Sequence, residues 1–407
     1  VEALQMKITN KKQHTIKNTM NKLAMTIGVV SGSLFVLSPT AYAAETNYSF
    51  GGFIKFDALF SQSSDEQRSG GNDFLVPSTI AVGDGSDKGD VVFDTNSKFS
   101  RLWFKTATMT EVGEIKSHVE MDFNAGNDER VTNQSSNGLR HAYLSWENSA
   151  DSSILAGQTW STFFNPAVLP ESVDFLGPTS GTIFVRQSQV RYTQAMGNGK
   201  FMIAAENPSV SLYDGGSGFD DNQVDDSGMP DLIGRYDGST GALNYSAAAM
   251  VRQINYNDRA NDEDDSQIGY GVTFSGKYAF SNGDDLKFML SQGQLGRYIA
   301  LNAFRDGAVE ADGDIELITS MGGFVAYRHM WSEKLRSTIS YAYSEADNPD
   351  TLVADATKKI NNANVNLMYS PTKNLTFGGE YFIAEREVES GADGDLNRLQ
   401  LTSKWVF

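Results

Sequence analysis

The chain contains no cysteine. For an exported protein that excludes a disulfide scaffold and leaves hydrogen bonding and closure to hold the fold. Proline is scarce, nine in 407 residues, as long unbroken strands require. Beyond the first 43 residues no apolar run approaches the ~20 residues of a membrane-spanning helix. Basic residues are outnumbered, with 33 Lys and Arg against 51 Asp and Glu. A net charge of −18 argues against nucleic-acid binding. Histidine is rare too, and neither a Gly-x-Ser-x-Gly elbow nor a His-Glu-x-x-His pattern occurs. Of the histidines beyond residue 43, His118, His141 and His329 fall in different segments. Only His141, on one strand face with Ser145, resembles part of a lipid-facing hydrolase pair, so no enzyme is expected.

The first 43 residues read as a secretory leader. Lys7, Lys11, Lys12, Lys17 and Lys22 precede an apolar stretch at 23–37, and Ala41-Tyr42-Ala43 forms an A-x-A cleavage site. A start at Met20 would give a leader of ordinary length, so residues 1–19 read as an over-extended start. Removing a leader with five lysines and one glutamate takes the net charge from −18 to −22. The second unit is then 44–407, a single domain.

That domain alternates with period two. Segment 47–61 sets Tyr48, Phe50, Ile54, Phe56 and Phe60 against Lys55 and Asp57. Segment 114–124 sets Ile115, Val119, Met121 and Phe123 against Lys116, His118, Glu120 and Asp122. The carboxyl terminus does the same, with Leu399, Leu401, Trp405 and Phe407 on one parity and Gln400, Thr402 and Lys404 on the other. A sticky terminal edge of this kind suits a closed barrel in lipid, where the last strand pairs with the first. Its terminal Phe resembles the signal read by outer-membrane assembly machinery.

Connections alternate between short and long. Short ones lie near 111–113, 148–151, 195–199, 238–241, 281–284, 332–334 and 371–374. Long ones lie near 62–96, 125–137, 162–182, 208–230, 255–266, 296–316, 347–357 and 387–395. Short periplasmic turns and long outer loops are the mark of outer-membrane barrels. The expected fold is therefore all-β: a 16-stranded antiparallel transmembrane β-barrel, wide enough for an aqueous lumen. Tyr48, Phe60, Tyr369, Tyr381, Trp405 and Phe407 are expected near the membrane interfaces.

Residues 162–182 stand apart from the other long connections. They hold three prolines and several large apolar residues where the other loops are rich in Asp and Gly. Such a loop should pack against something, and its place between the fifth and sixth strands suits folding into the lumen. Glu171 and Asp174 would be its charged members. Packing on the outer rim, as a lid or subunit contact, is the alternative.

Several pieces resemble a known family. Asp73-Phe-Leu-Val-Pro77, Leu139-Arg-His-Ala-Tyr143, Ala156-Gly-Gln-Thr-Trp-Ser-Thr-Phe163, Pro170-Glu-Ser-Val-Asp-Phe-Leu-Gly-Pro178 and Arg186-Gln-Ser-Gln-Val-Arg-Tyr-Thr193 are similar to motifs of DcaP-like trimeric porins. The resemblance implies a homotrimer of barrels with a constricting inserted loop, and uptake of dicarboxylates and other small organic anions. Some members carry a coiled-coil segment before the barrel, and this chain shows none. Trimer assembly would then rest on contacts of the barrel wall.

Parity places Lys55, Arg101, Lys105, Arg191, Arg235, Arg252 and Arg328 on the polar faces of their strands, with Arg140 and Arg186 in less regular segments. A charge facing lipid costs about 2–4 kcal/mol at the bilayer midplane, so inward is the default for all nine. Arginine grips carboxylates with a two-pronged fork and stays charged. Two expectations follow: a ladder that favours anions, or arginines braced against Asp57, Glu120, Asp122, Glu171 or Asp174 in a general or weakly cation-selective pore. A structural or adhesin barrel is a third. The acidic stretches around Asp220, Asp221, Asp225 and Asp226, and around Asp262, Glu263, Asp264 and Asp265, do not match the spacing of an EF-hand. No metal site or cofactor is expected. The expected partners are outer-membrane lipid, lipopolysaccharide and small organic anions.

Overall fold

The computed structural model describes residues 45–64, 73–83, 89–128, 134–214, 228–258, 263–350, 352 and 354–407. The expected leader lies outside them. Strand β1 is Thr46–Ser63, and β2 comes in two pieces, Val92–Asn96 and Arg101–Thr110. Strands β3 to β8 are Gly113–Asp122, Gly138–Glu147, Ser152–Trp160, Arg186–Met196, Gly199–Glu206 and Asp231–Thr240. Strands β9 to β12 are Leu243–Asp258, Glu263–Ala279, Asp285–Gly293 and Thr319–Met330. Strands β13 to β16 are Leu335–Asp347, Thr357–Tyr369, Leu375–Val388 and Asp393–Val406.

The main sheet has 17 ladder segments, but both pieces of β2 pair along β1, so they make 16 strands. Each is antiparallel to the next, and β16 returns to β1 with Phe53 opposite Val406 and Ser63 opposite Leu396. Phe407 completes the seam, exchanging backbone hydrogen bonds of 3.1 and 3.3 Å with Gly52. The aromatic carboxyl terminus thus stitches the barrel shut and leaves no open edge in lipid.

Alternation sorts the side chains as period two requires. Tyr48, Phe60, Tyr369, Tyr381, Trp405 and Phe407 are all exposed on the outer wall. The turns fall at 111–112, 148–151, 197–198, 241–242, 280–284, 331–334 and 370–374. Two of the expected long loops are corrected. The ladder between β9 and β10 runs from Leu243 opposite Tyr278 to Asp258 opposite Glu263, and that between β15 and β16 reaches Glu387 opposite Asp393. Polar residues at 255–266 and 387–395 read as loop, yet above the membrane both strand faces meet water. Backbone pairing then continues whatever the side chains are.

The interior is not evenly hollow. Phe163, Phe164, Val168 and Ile183 from the connection after β5 pack with Leu295, Tyr298, Ile299 and Phe304 from the connection after β11. Both sets lie on the inner faces of β8 to β14, against Ile233, Met250, Met289, Phe324 and Ile360. This apolar core fills one side of the barrel. The loop after β11 joins it by a bridge between Ile183 and Ile299 and turns through left-handed Ala300, Leu301 and Asn302. Gly181 lies so close to β12 that a Cβ would strike the Gly323 carbonyl.

Arg252 is sealed into this region at 0% exposure. It donates to Asp306 at 2.7 Å and to the Ser209 carbonyl at 2.5 Å. Burial pushes the Asp306 carboxyl above its usual range, and the Arg252 charge opposes that rise. Asp231 lies 3.5 Å from the same guanidinium, so Arg252→Ala would strand two buried carboxylates, at a cost of about 3–5 kcal/mol or more. A clear fall in the thermal midpoint of the folded barrel in detergent is expected. Arg252→Met with Asp306→Leu should recover part of it. An unchanged midpoint in the single variant would contradict this role.

Candidate functional site

The connection after β5 turns inward and crosses the lumen. Asn165 starts it by accepting the Ala167 N–H at 3.2 Å and donating to Ser275 of β10 at 3.0 Å. Lys287 of β11 holds the Leu169 carbonyl at 2.6 Å. Glu171 meets Arg336 of β13 in a two-pronged pair, 2.5 Å at each contact. The Val173 carbonyl accepts from Lys55 of β1 at 3.0 Å and Gln400 of β16 at 3.3 Å. Asn362 of β14 then bonds Ser180 N and the Gly177 carbonyl, both at 3.0 Å. The loop therefore leaves the wall at β5 and fastens to strands across the barrel. The rim-lid alternative is excluded.

Its main anchor is Glu380 of β15, buried at 1% exposure. The carboxylate accepts from Ser172 Oγ at 2.8 Å, Asp174 N at 3.0 Å and Val173 N at 3.2 Å. Asn366 and Asn364 of β14 add bonds of 3.0 and 3.3 Å. Asp174 in turn accepts the Leu75 N–H at 3.1 Å. Phe74, Phe99 and Phe175 stack around that contact, with centroids 5.0–5.7 Å apart. The stretches 73–77 and 170–178, distant in sequence, are thus two halves of one lock.

The nine expected basic side chains divide by partner. Arg252 is a correction: it is wholly buried and cannot touch a solute. Arg140 is likewise buried, held by Glu120 at 2.8 Å and Asp122 at 2.6 Å. Arg235 pairs with Asp237 at 2.6 Å and donates to the Phe164 carbonyl at 2.5 Å, bracing the loop. Arg328 pairs with Asp285 at 2.5 Å, and Lys55 bonds Asp57 at 2.6 Å.

The remaining four are not neutralised in this way. Arg101 is 3.8 Å from Glu120. Arg186 lies 4.8 Å from the Trp160 ring and 5.8 Å from Phe184. Lys105 sits 4.7 Å over Trp103. Arg101 Nε, Arg186 Nη1 and Arg191 Nε are buried without an acceptor. Arg252, Arg328 and Arg398 also have a nitrogen without a hydrogen-bond acceptor, but each of them is paired with an acid: Asp306 and Asp231, Asp285, and Asp174 at 3.9 Å.

Asp174 is a second correction. It is buried at 4% exposure and spends one oxygen on Leu75 N and the other on the loop's own backbone, including Leu176 N at 3.2 Å. Glu171 is taken by Arg336. Neither carboxylate is a bare charge opposing the arginines. His141 does not face lipid either. Its Nδ1 lies 3.0 Å from Thr159 Oγ1, and its ring stacks on His118 at 5.5 Å inside the barrel. Among the described residues no group of His, Asp and Glu is arranged to hold a metal ion. Asp220, Asp221, Asp225, Asp226 and Asp262 lie outside the described residues.

Sequence reasoning passed over Glu380, Arg336 and Arg398, and set Lys404 on the polar parity without assigning it to the lumen. Parity could have found them, since each alternates with outward residues such as Tyr381, Leu399 and Trp405. Arg398 is buried over Phe382, 5.1 Å from the ring, and donates to Ser61 Oγ at 2.7 Å.

Solved structures similar to this one include an outer-membrane channel, a porin and an outer membrane protein. The outer membrane channel DcaP of Acinetobacter baumannii matches at 23% identity, covering 91% of this chain and 99% of that one, with a TM-score of 0.75. An anion-selective porin from Comamonas acidovorans matches at 10% identity over 89% and 100%, TM-score 0.56. The trimer form of OmpT from Vibrio cholerae matches at 12% identity over 89% and 99%, TM-score 0.53. Comparison with curated proteins finds no match. The family model described as DcaP outer membrane protein matches residues 6–407. With its closed barrel of porin type, the chain belongs to the DcaP outer membrane protein family.

Proposed function

We propose that this outer-membrane porin is a passive diffusion channel for small hydrophilic solutes, with a preference for organic anions such as dicarboxylates. The observation that carries it is that Arg101, Arg186 and Arg191 are half-buried on the inner wall and, among the described residues, no acid lies within hydrogen-bond distance of them. Their exposed guanidinium edges are left to grip a passing carboxylate through charge-assisted bonds. Trp160 and Phe184 hold Arg186 in place without cancelling its charge. The Comamonas porin of the same fold is anion-selective. No catalytic step and no cofactor are needed, and residues 1–43 would be removed on export. Liposome swelling tests the reading. Succinate should enter faster than a neutral or cationic solute of equal size, and equal rates would leave only a general porin.

The barrel's partners would be outer-membrane lipid, lipopolysaccharide and two further copies of this chain. Aromatic residues mark walls that face lipid interfaces. They are frequent on the outer face everywhere except β3 to β5, where Trp146 stands alone among Ile115, Val119, Leu144 and Ile154. That stretch also carries outward polar groups: Ser117, bonded to Thr106 at 2.7 Å, and Gln158, bonded to the Leu139 carbonyl at 3.0 Å. Both features fit a protein-covered face in a homotrimer. Val119→Trp with Leu144→Trp should convert trimers to monomers on unheated gels. A lipid-facing wall would accept both changes with the trimer intact.

A further inference from the structure

We propose that Lys404 and Lys105, flanking Arg101, form a second carboxylate-binding station, on the periplasmic side of the inserted loop. It rests on the anion-channel reading and adds a site to it. The loop touches the wall at Lys55 and Gln400, through the Val173 carbonyl. Lys404 lies four residues beyond Gln400, toward the periplasmic end of β16. Lys105 stands opposite Ser49 of β1, six residues below Lys55. Both therefore face solute that has already passed the loop.

The chemistry is that of bare cations on aromatic supports. Lys404 Nζ is 4.1 Å from the Phe53 centroid, and the Arg101 guanidinium lies 5.4 Å from the same ring. Lys105 Nζ is 4.7 Å from Trp103. An aromatic face positions an ammonium group but leaves its charge and N–H donors available. Among the described residues neither lysine has an acidic oxygen within 4.0 Å, whereas Lys55 has Asp57. Lys404 also stands directly opposite Lys55 across the β1–β16 ladder. Like charges in that position destabilise a sheet. A wall that keeps Lys404 and Arg101 on one ring and Lys105 on Trp103, with Lys404 against a second lysine, fits a ligand that supplies negative charge. The donors suit a small organic mono- or dicarboxylate.

Sidedness tests this. Oriented single channels in a planar bilayer would be titrated with succinate from the extracellular and then the periplasmic side. In Lys404→Gln with Lys105→Gln, the ratio of periplasmic to extracellular half-blocking concentrations should rise about a hundredfold, as losing two charge-assisted contacts at about tenfold each implies. Lys404→Arg with Lys105→Arg should keep the wild-type ratio, which separates loss of charge from misfolding. An unchanged ratio in the Gln variant would overturn the station while leaving the anion channel in place. Absence of succinate block from either side in the wild type would instead overturn the anion reading, and the station with it.

Discussion

Glu380→Ala should widen the channel. The carboxylate anchors the tip of the inserted loop through Ser172, Val173 and Asp174, and Asn364 and Asn366 hold it from the wall. Without it two backbone N–H groups lose their acceptor, at about 1–3 kcal/mol each if they stay buried. The cheaper outcome is for the tip to leave. Single-channel conductance should then rise at least about twofold, and current noise should grow as the loop samples several positions. Glu380→Gln, which keeps one acceptor oxygen, should fall between. Wild-type conductance in the Ala variant would mean that the loop does not set the narrowest point.

The second large effect concerns charge. Replacing Arg101, Arg186 and Arg191 together by Gln keeps polar side chains in the lumen and removes three guanidinium groups that hold no acid at hydrogen-bond distance among the described residues. If each contributes one charge-assisted contact to a passing carboxylate, at about tenfold each, the half-blocking concentration of succinate should rise by about three orders of magnitude. Arg235→Gln is the contrast. Its guanidinium already serves Asp237 and the Phe164 carbonyl, so it should disturb the loop, seen as altered conductance, more than affinity. Equal loss of affinity in both would mean that burial and partner do not distinguish the arginines.

The barrel was legible because period-two alternation and the short–long rhythm of connections are properties of contiguous residues. The same holds for the inserted loop, whose prolines and aromatics contrast with its Asp-rich neighbours. Partnership was not legible. Glu171 meets Arg336 across 165 positions, and Ser172 meets Glu380 across 208. Only closure of the barrel decides which arginine finds an acid and which stays bare. The apolar core was missed because alternation fails where both faces are apolar. Ala247-Ala-Ala-Met-Val251 and Phe324-Val-Ala326 carry that signal, and they read as ordinary wall until the loop after β11 is seen packed on them. The two overextended loops had a simpler cause, since acidic residues above the membrane do not end a ladder that has a partner.

One measurement bears most directly on the anion reading: the zero-current potential of the wild-type channel under a KCl gradient. Bare lumenal cations with paired lumenal acids predict a potential of the sign given by chloride preference. A potential of cation-selective sign would show that the acidic loops, with a net −18 over the chain, govern the pore, and that its arginines serve only to brace the wall.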